Sequence, residues 1–209
     1  MTPPAMTPTQ AWAEMVSGNE RFIGGAPRHP RQDVERREEL ALGQAPHAVL
    51  FGCSDSRLAA EIIFDRGLGD LFVVRNAGQV VSSSVLGSIE YGVEVLNAPL
   101  LVVLGHDSCG AVAAAIDQAE PDAAPLPPHI RDLIAPIAPA VAATPIVEGH
   151  RDPAEVGRAH LRDTVSELLA ESELISDAVA AGRLGIVGAN YRLLEGRVVP
   201  DVLLGLTSD

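Results

Sequence analysis

The sequence predicts an α/β fold: a mainly parallel central sheet of four strands plus an antiparallel edge strand, helices on both faces, and an N-terminal helical arm. Two observations carry this. The short apolar runs Ala48 to Phe51 and Leu100 to Leu104 read as strands buried on both sides. They alternate with longer stretches of helical period, and strand–helix alternation builds a parallel sheet covered on both faces. A third observation concerns chemistry. Both cysteines of the chain, Cys53 and Cys109, lie just past these two runs in polar, glycine-flanked segments.

Residues 1 to 8 hold three prolines and are expected to lack fixed structure. Over 9–24, Trp12, Met15, Val16, Asn19 and Phe22 recur at helical spacing and predict the arm helix. Gly24 and Gly25 end it, and the charged stretch Arg31 to Glu39 reads as a solvated helix. Pro46 marks the turn into the first strand. Residues 59–64 read as a short helix and 70–75 as the second strand. Ser82-Ser83-Ser84 is placed to cap a helix with Val85, Ile89, Val93 and Leu96 on one face and Tyr91 off that stripe. The third strand follows at 100–104, then a helix from Cys109 to Ala119 whose first turn carries the second cysteine. Four prolines between Glu120 and His129 require a surface loop, and Pro136 and Pro139 shorten or kink the helix over 130–141. Residues 153–181 read as one long or broken helix, with Val156, Leu161, Val165, Leu168 and Ile175 inward. The fourth strand spans 183–189, and 198–204 returns as the edge strand. Neither a repeat nor a linker is visible, so the 209 residues read as a single domain.

Hydrophobic residues make up 47% and charged residues 21%, as in a globular protein, while aromatics at 3% leave the core to Val, Leu, Ile and Ala. A formal charge of −13 repels phosphate backbones and anionic headgroups, which argues against nucleic-acid and membrane partners. A small neutral substrate is compatible with it. No apolar run approaches the ~18 residues of a membrane span, and the N-terminus lacks a secretory pattern. A cytoplasmic location is therefore expected, where two cysteines serve a metal more readily than a disulfide.

Cys53, His106 and Cys109 stand at the ends of two strands, where ligand crevices of open α/β sheets form. Two thiolates and one imidazole suit zinc, and three protein ligands leave a fourth position open, as in a catalytic site. The bland alternative is a pair of buried structural thiols. A helix N-terminus favours ionisation of Cys109, as a ligand requires.

The segments Cys53-Ser54-Asp55-Ser56-Arg57, Arg75-Asn76-Ala77-Gly78, Ser88-Ile89-Glu90-Tyr91 and Gly105-His106-Asp107-Ser108-Cys109-Gly110, in this order, resemble the β-class carbonic anhydrases. The resemblance covers about residues 10 to 205. It implies a zinc cofactor and the reversible hydration of carbon dioxide to bicarbonate and a proton. It implies that Asp55 works beside the metal and that Arg57 holds it off the fourth position. It also implies a substrate pocket walled by Phe72, Ala77 and Tyr91, with the Gly110 amide and the Gln44 side chain as donors. Gln44 would reach the cleft across a dimer interface, the arm would lie across a partner subunit, and the assembly would be a homodimer or homotetramer. On the residues alone, Asp55 and Arg57 form a surface ion pair, Gln44 is a loop amide, and Phe72 and Tyr91 are core aromatics.

Two thiolates neutralise the charge of zinc, so water on it should be less acidic than at a three-histidine site. Activity is therefore expected to rise with pH. Asp107 either orients His106 or caps the next helix. Some members of the family bind inhibitory bicarbonate through a tryptophan where this chain has Leu50; Arg75 and Tyr191 match the other two side chains of that site. His29, His47, His129, His150 and His160 show no ligand spacing, and His150 or His160 offers a proton shuttle. The competing readings are a carbon disulfide or carbonyl sulfide hydrolase on the same scaffold, and a non-catalytic zinc- or bicarbonate-binding protein.

Overall fold

The computed structural model describes residues 6–206, and the start of the proline-rich 1–8 segment lies outside that range. Its end is ordered: Thr7 caps the first helix, α1 (Pro8–Ile23), through a reciprocal capping box with Gln10, and Pro8 takes the first helical position. α1 packs on its own chain. Ala11, Met15, Gly18 and Asn19 are its buried residues, and the expected stripe member Val16 is exposed. Gly18 sets that face, because a Cβ there would sit 1.8 Å from the Phe64 carbonyl oxygen. Asn19 locks the contact by donating to the Ile63 and Gly196 carbonyls and accepting from the Val198 amide.

After the solvated helix α2 (Val34–Leu40), the sheet begins with β1 (Ala48–Cys53). The short helix α3 (Ala60–Ile63) leads to β2 (Leu71–Asn76). Ser82 caps α4 (Ser83–Glu90), which continues as a π-helical turn over Tyr91–Val95. β3 (Leu100–His106) feeds α5 (Gly110–Gln118). α6 (Pro128–Ile134) and α7 (Ala138–Ala143) are separated by a 3₁₀ turn at Pro136, the break that proline imposes. The long helical stretch is likewise broken, at Ser172, into α8 (Pro153–Glu171) and α9 (Glu173–Ala180). β4 (Gly185–Arg192) and β5 (Arg197–Leu204) complete the sheet.

The strand order is β2-β1-β3-β4-β5, with only β4 and β5 antiparallel. β1 and β3 are buried along their whole length, which is why both read as unbroken apolar runs. Side chains alternate between faces, so Val49, Phe51, Leu101 and Val103 pack under α4, α8 and α9, while Leu50, Leu100 and Val102 meet α1 and α3. Pro200 is tolerated in β5 because this is an edge strand and the ladder is irregular opposite it, at Gly188/Ala189. Parallel β1 and β3 therefore present their carboxyl ends, Cys53 and His106, side by side.

Candidate metal centre

Both strands run further than the apolar pattern suggests, so Cys53 and His106 are their last residues and not loop residues beyond them. Cys109 is the N-cap of α5 and not part of its first turn. There the neighbouring Cys53 sulfur and burial raise the pKa of its thiol, while the Ala111 and Val112 amides of the helix start pull it down, the polarity expected of a helix N-terminus. The ligand atoms of Cys53, His106 and Cys109 all lie within 4.8 Å of one another, and all three residues are buried.

The histidine is aimed. Its Nδ1 donates to the Asp107 carbonyl at 2.8 Å, which leaves Nε2 as a bare lone pair, buried and without a protein partner. An orphaned acceptor facing two sulfurs is what a cation such as zinc requires, and two thiols plus an imidazole are its usual donors. The adjoining Cys109 sulfur, with His106 and the Gly78 amide, holds the Cys53 thiol low, and the same neighbour together with burial pushes Cys109 up. Burial is the largest influence on His106 and lowers it, yet the adjoining Cys53 sulfur, the Asp107 carbonyl and Asp55 together leave it raised.

Asp55 stands at the open side, with Oδ2 4.0 Å from His106 Nε2. Arg57 holds it in a fork: Nε donates to Oδ1 at 2.8 Å, Nη2 to Oδ2 at 2.6 Å, and the Arg57 amide to Oδ1. The Arg57 side chain also donates to the Ser108 carbonyl, tying the Cys53 loop to the His106 loop. Chiefly through Arg57, the Asp55 carboxyl lies well below the usual carboxylate range. Asp107 does not cap α5; its carbonyl orients His106 and its carboxylate accepts from the Leu193 amide.

The remaining predicted residues divide. Ala77 and Gly110 are exposed beside the cluster, Ala77 after the Asn76 that pairs with Cys53, and Gly110 next to Cys109. Phe72 and Tyr91 meet each other, ring centroids 6.0 Å apart, but Phe72 pairs with Val49, four residues before Cys53 and hence roughly 13 Å along the strand. Gln44 precedes β1 at its opposite end. Within one chain these three are not brought to the cluster. Arg75, offered by the resemblance for a second bicarbonate site, instead donates to the Cys53 and Asp55 carbonyls and clamps the loop, while Leu50 is buried core. Gly78 closes the Arg75-Asn76-Ala77-Gly78 segment, and its amide donates to Cys53 Sγ at 3.3 Å, a role that the motif alone does not signal.

Comparison with known proteins identifies the family. A carbonic anhydrase family model covers residues 48–198. The chain belongs to the β-carbonic anhydrase family. Carbonic anhydrase 2 of Mycobacterium tuberculosis is 52% identical over 200 residues, 94% of each chain, and a carbonic anhydrase of Mycolicibacterium smegmatis is 47% identical over 93% of this chain and 94% of its own. A tetrameric β-carbonic anhydrase from Sordaria macrospora shares the fold, with a TM-score of 0.68 at 24% identity over 90% of this chain and 95% of the other. Members of the family use zinc, and the Cys53, His106 and Cys109 donor set fits it.

Proposed function

We propose that this chain is a single carbonic anhydrase domain that reversibly hydrates carbon dioxide to bicarbonate and a proton. The observation that carries this is the buried, unpartnered Nε2 of His106 facing the two cysteine sulfurs, with a carboxylate restrained at the open side. A zinc ion held by three protein ligands with one position open would supply a Lewis acid that lowers the pKa of water, though less far than at a three-histidine site because two thiolates neutralise the ion.

Cys53, His106 and Cys109 hold the metal, and the Asp107 carbonyl fixes the tautomer that leaves Nε2 free. Asp55 accepts a hydrogen bond from the attacking water and so orients a lone pair toward the carbon. Arg57 keeps this carboxylate ionised, so Asp55 is an orienting acceptor and not a store for the proton, which passes to solvent. The Gly110 amide is a donor for the oxygen on which charge grows as the carbon–oxygen bond forms. Substrate and water are uncharged, so the strongly acidic chain does not repel them.

Gln44, Phe72 and Tyr91 are pocket residues for the cluster of a second copy. β2 is a sheet edge with half-buried side chains, and the Tyr91 ring beside it is 45% exposed, which supports a homo-oligomer that completes each pocket. No helix among the described residues is long and apolar enough to cross a membrane. A permanently closed, non-catalytic site is disfavoured, because Asp55 is bonded to Arg57 and not directed among the ligands. The test is loss of ¹⁸O label from bicarbonate, run beside sulfide release from carbonyl sulfide. Label loss without sulfide supports the hydratase; sulfide release without label loss makes the protein the sulfur-specific relative.

A further inference from the structure

His160 sits in α8 among the inward residues Val156, Leu161 and Val165, only 3% exposed. Its Nε2 lies 2.7 Å from the Gly78 carbonyl oxygen. A carbonyl only accepts, so Nε2 carries the hydrogen; burial lowers the pKa of the ring, keeping it neutral, and Nδ1 is left as a lone pair. That second nitrogen is buried with no partner. A leucine would fill this core position without the cost of an orphaned acceptor. The imidazole is also too deeply buried to exchange protons with solvent, which removes it as a shuttle.

Gly78 uses both of its polar groups. Its amide donates to Cys53 Sγ while its carbonyl accepts from His160. The residue adopts φ +84°, a conformation for glycine, and Asn76 closes the loop behind it by bonding the Val80 amide and carbonyl. Asn76 thus bridges the loop through Val80, and His160 holds the Gly78 carbonyl on the side away from the sulfur-bound amide.

We propose that His160 is a positioning residue of the metal centre: it pins Gly78 so that the Gly78 amide stays aimed at the Cys53 sulfur. The inference rests on the metal-centre reading above. An amide hydrogen bond withdraws charge from a thiolate, so the relay from His160 through Gly78 tunes how strongly Cys53 donates to the metal and holds the sulfur ready for it.

Cobalt substitution tests this without relying on turnover. Cobalt-loaded wild-type protein should show sulfur-to-cobalt charge-transfer absorption in the near ultraviolet; absence of that absorption overturns the metal reading itself. In His160→Leu the absorption should move to lower energy, because the sulfur electrons lose a hydrogen bond, and cobalt affinity by chelator competition should fall on the order of 10-fold. His160→Gln, whose amide nitrogen can reach the same carbonyl, should restore both. Should His160→Leu not fold, His160→Asn takes its place, since its amide falls short of Gly78. Unchanged absorption and affinity in a folded Leu or Asn variant, or equal losses in these and in His160→Gln, overturn the relay.

Discussion

Gly78→Ala puts the geometry of the metal loop under direct strain. The residue sits at φ +84°, and an alanine Cβ would lie 2.8 Å from Ala111 Cβ and 3.2 Å from Ile137 Cδ1. The left-handed conformation costs alanine about 1–2 kcal/mol. Overpacking against α5 adds about 1–3 kcal/mol. The neighbours are a methyl on the helix that carries Cys109 and a fully buried isoleucine, so neither yields freely. A loss of about 2–5 kcal/mol lowers the melting temperature of a chain this size by roughly 5–15 °C. The relief available is to move residues 77–79 outward, which takes the Gly78 amide off Cys53. Metal affinity should therefore fall together with stability. Differential scanning calorimetry and zinc competition with a chelator read the two effects, with Gly87→Ala as control, because nothing lies within 4 Å of a Cβ there and its φ is ordinary. A Gly78→Ala protein that melts within a degree or two of wild type and binds zinc as tightly would refute this picture of the loop.

Three further outcomes are expected. Arg57→Ala frees Asp55 to turn toward the ligand atoms 4.0 Å away, so hydration activity should fall by an order of magnitude or more, on the scale of a lost positioning group, and neither bicarbonate nor raised pH should recover it; full recovery by either would contradict closure by Asp55. Burial alone would raise the Asp65 carboxyl, but the Arg28 and His29 amides and the Arg21 guanidinium hold it at about 2. A depressed native value means stabilisation that is present above the unfolded value of 3.8 and lost as pH falls toward 2, so urea midpoints should drop across that window, and Asp65→Asn should lower stability at neutral pH and flatten the drop. If Gln44 serves the pocket of a second copy, mixing Gln44→Ala protein with Cys53→Ala protein should yield hetero-oligomers with one intact pocket and one doubly defective pocket; a mixture no more active than its parents contradicts shared pockets.

The sheet was legible because burial on both faces leaves a simple signature, an unbroken apolar run, at β1 and β3. The ligand set was legible for a related reason: polar residues at the ends of such runs have few structural uses. What stayed hidden depends on approach between distant segments. The face of α1 turns on Gly18 meeting the Phe64 carbonyl, a contact that a hydrophobicity stripe through Val16 cannot register. Gly78 and His160 are 82 residues apart, and only the folded chain shows them joined. Arg75 likewise carries no local sign that its guanidinium will clamp the Cys53 loop. Gln44, Phe72 and Tyr91 follow from the resemblance alone, and a single chain separates them from the cluster, since they lie toward the opposite ends of β1 and β2.

The most direct measurement is stopped-flow carbon dioxide hydration on protein of verified zinc content, at neutral and at alkaline pH, beside Cys53→Ala. A rate that requires zinc, disappears in Cys53→Ala and climbs with pH is the predicted result, because two thiolates leave the metal a weak acid. No hydration at either pH with zinc fully bound would contradict the assignment at its centre.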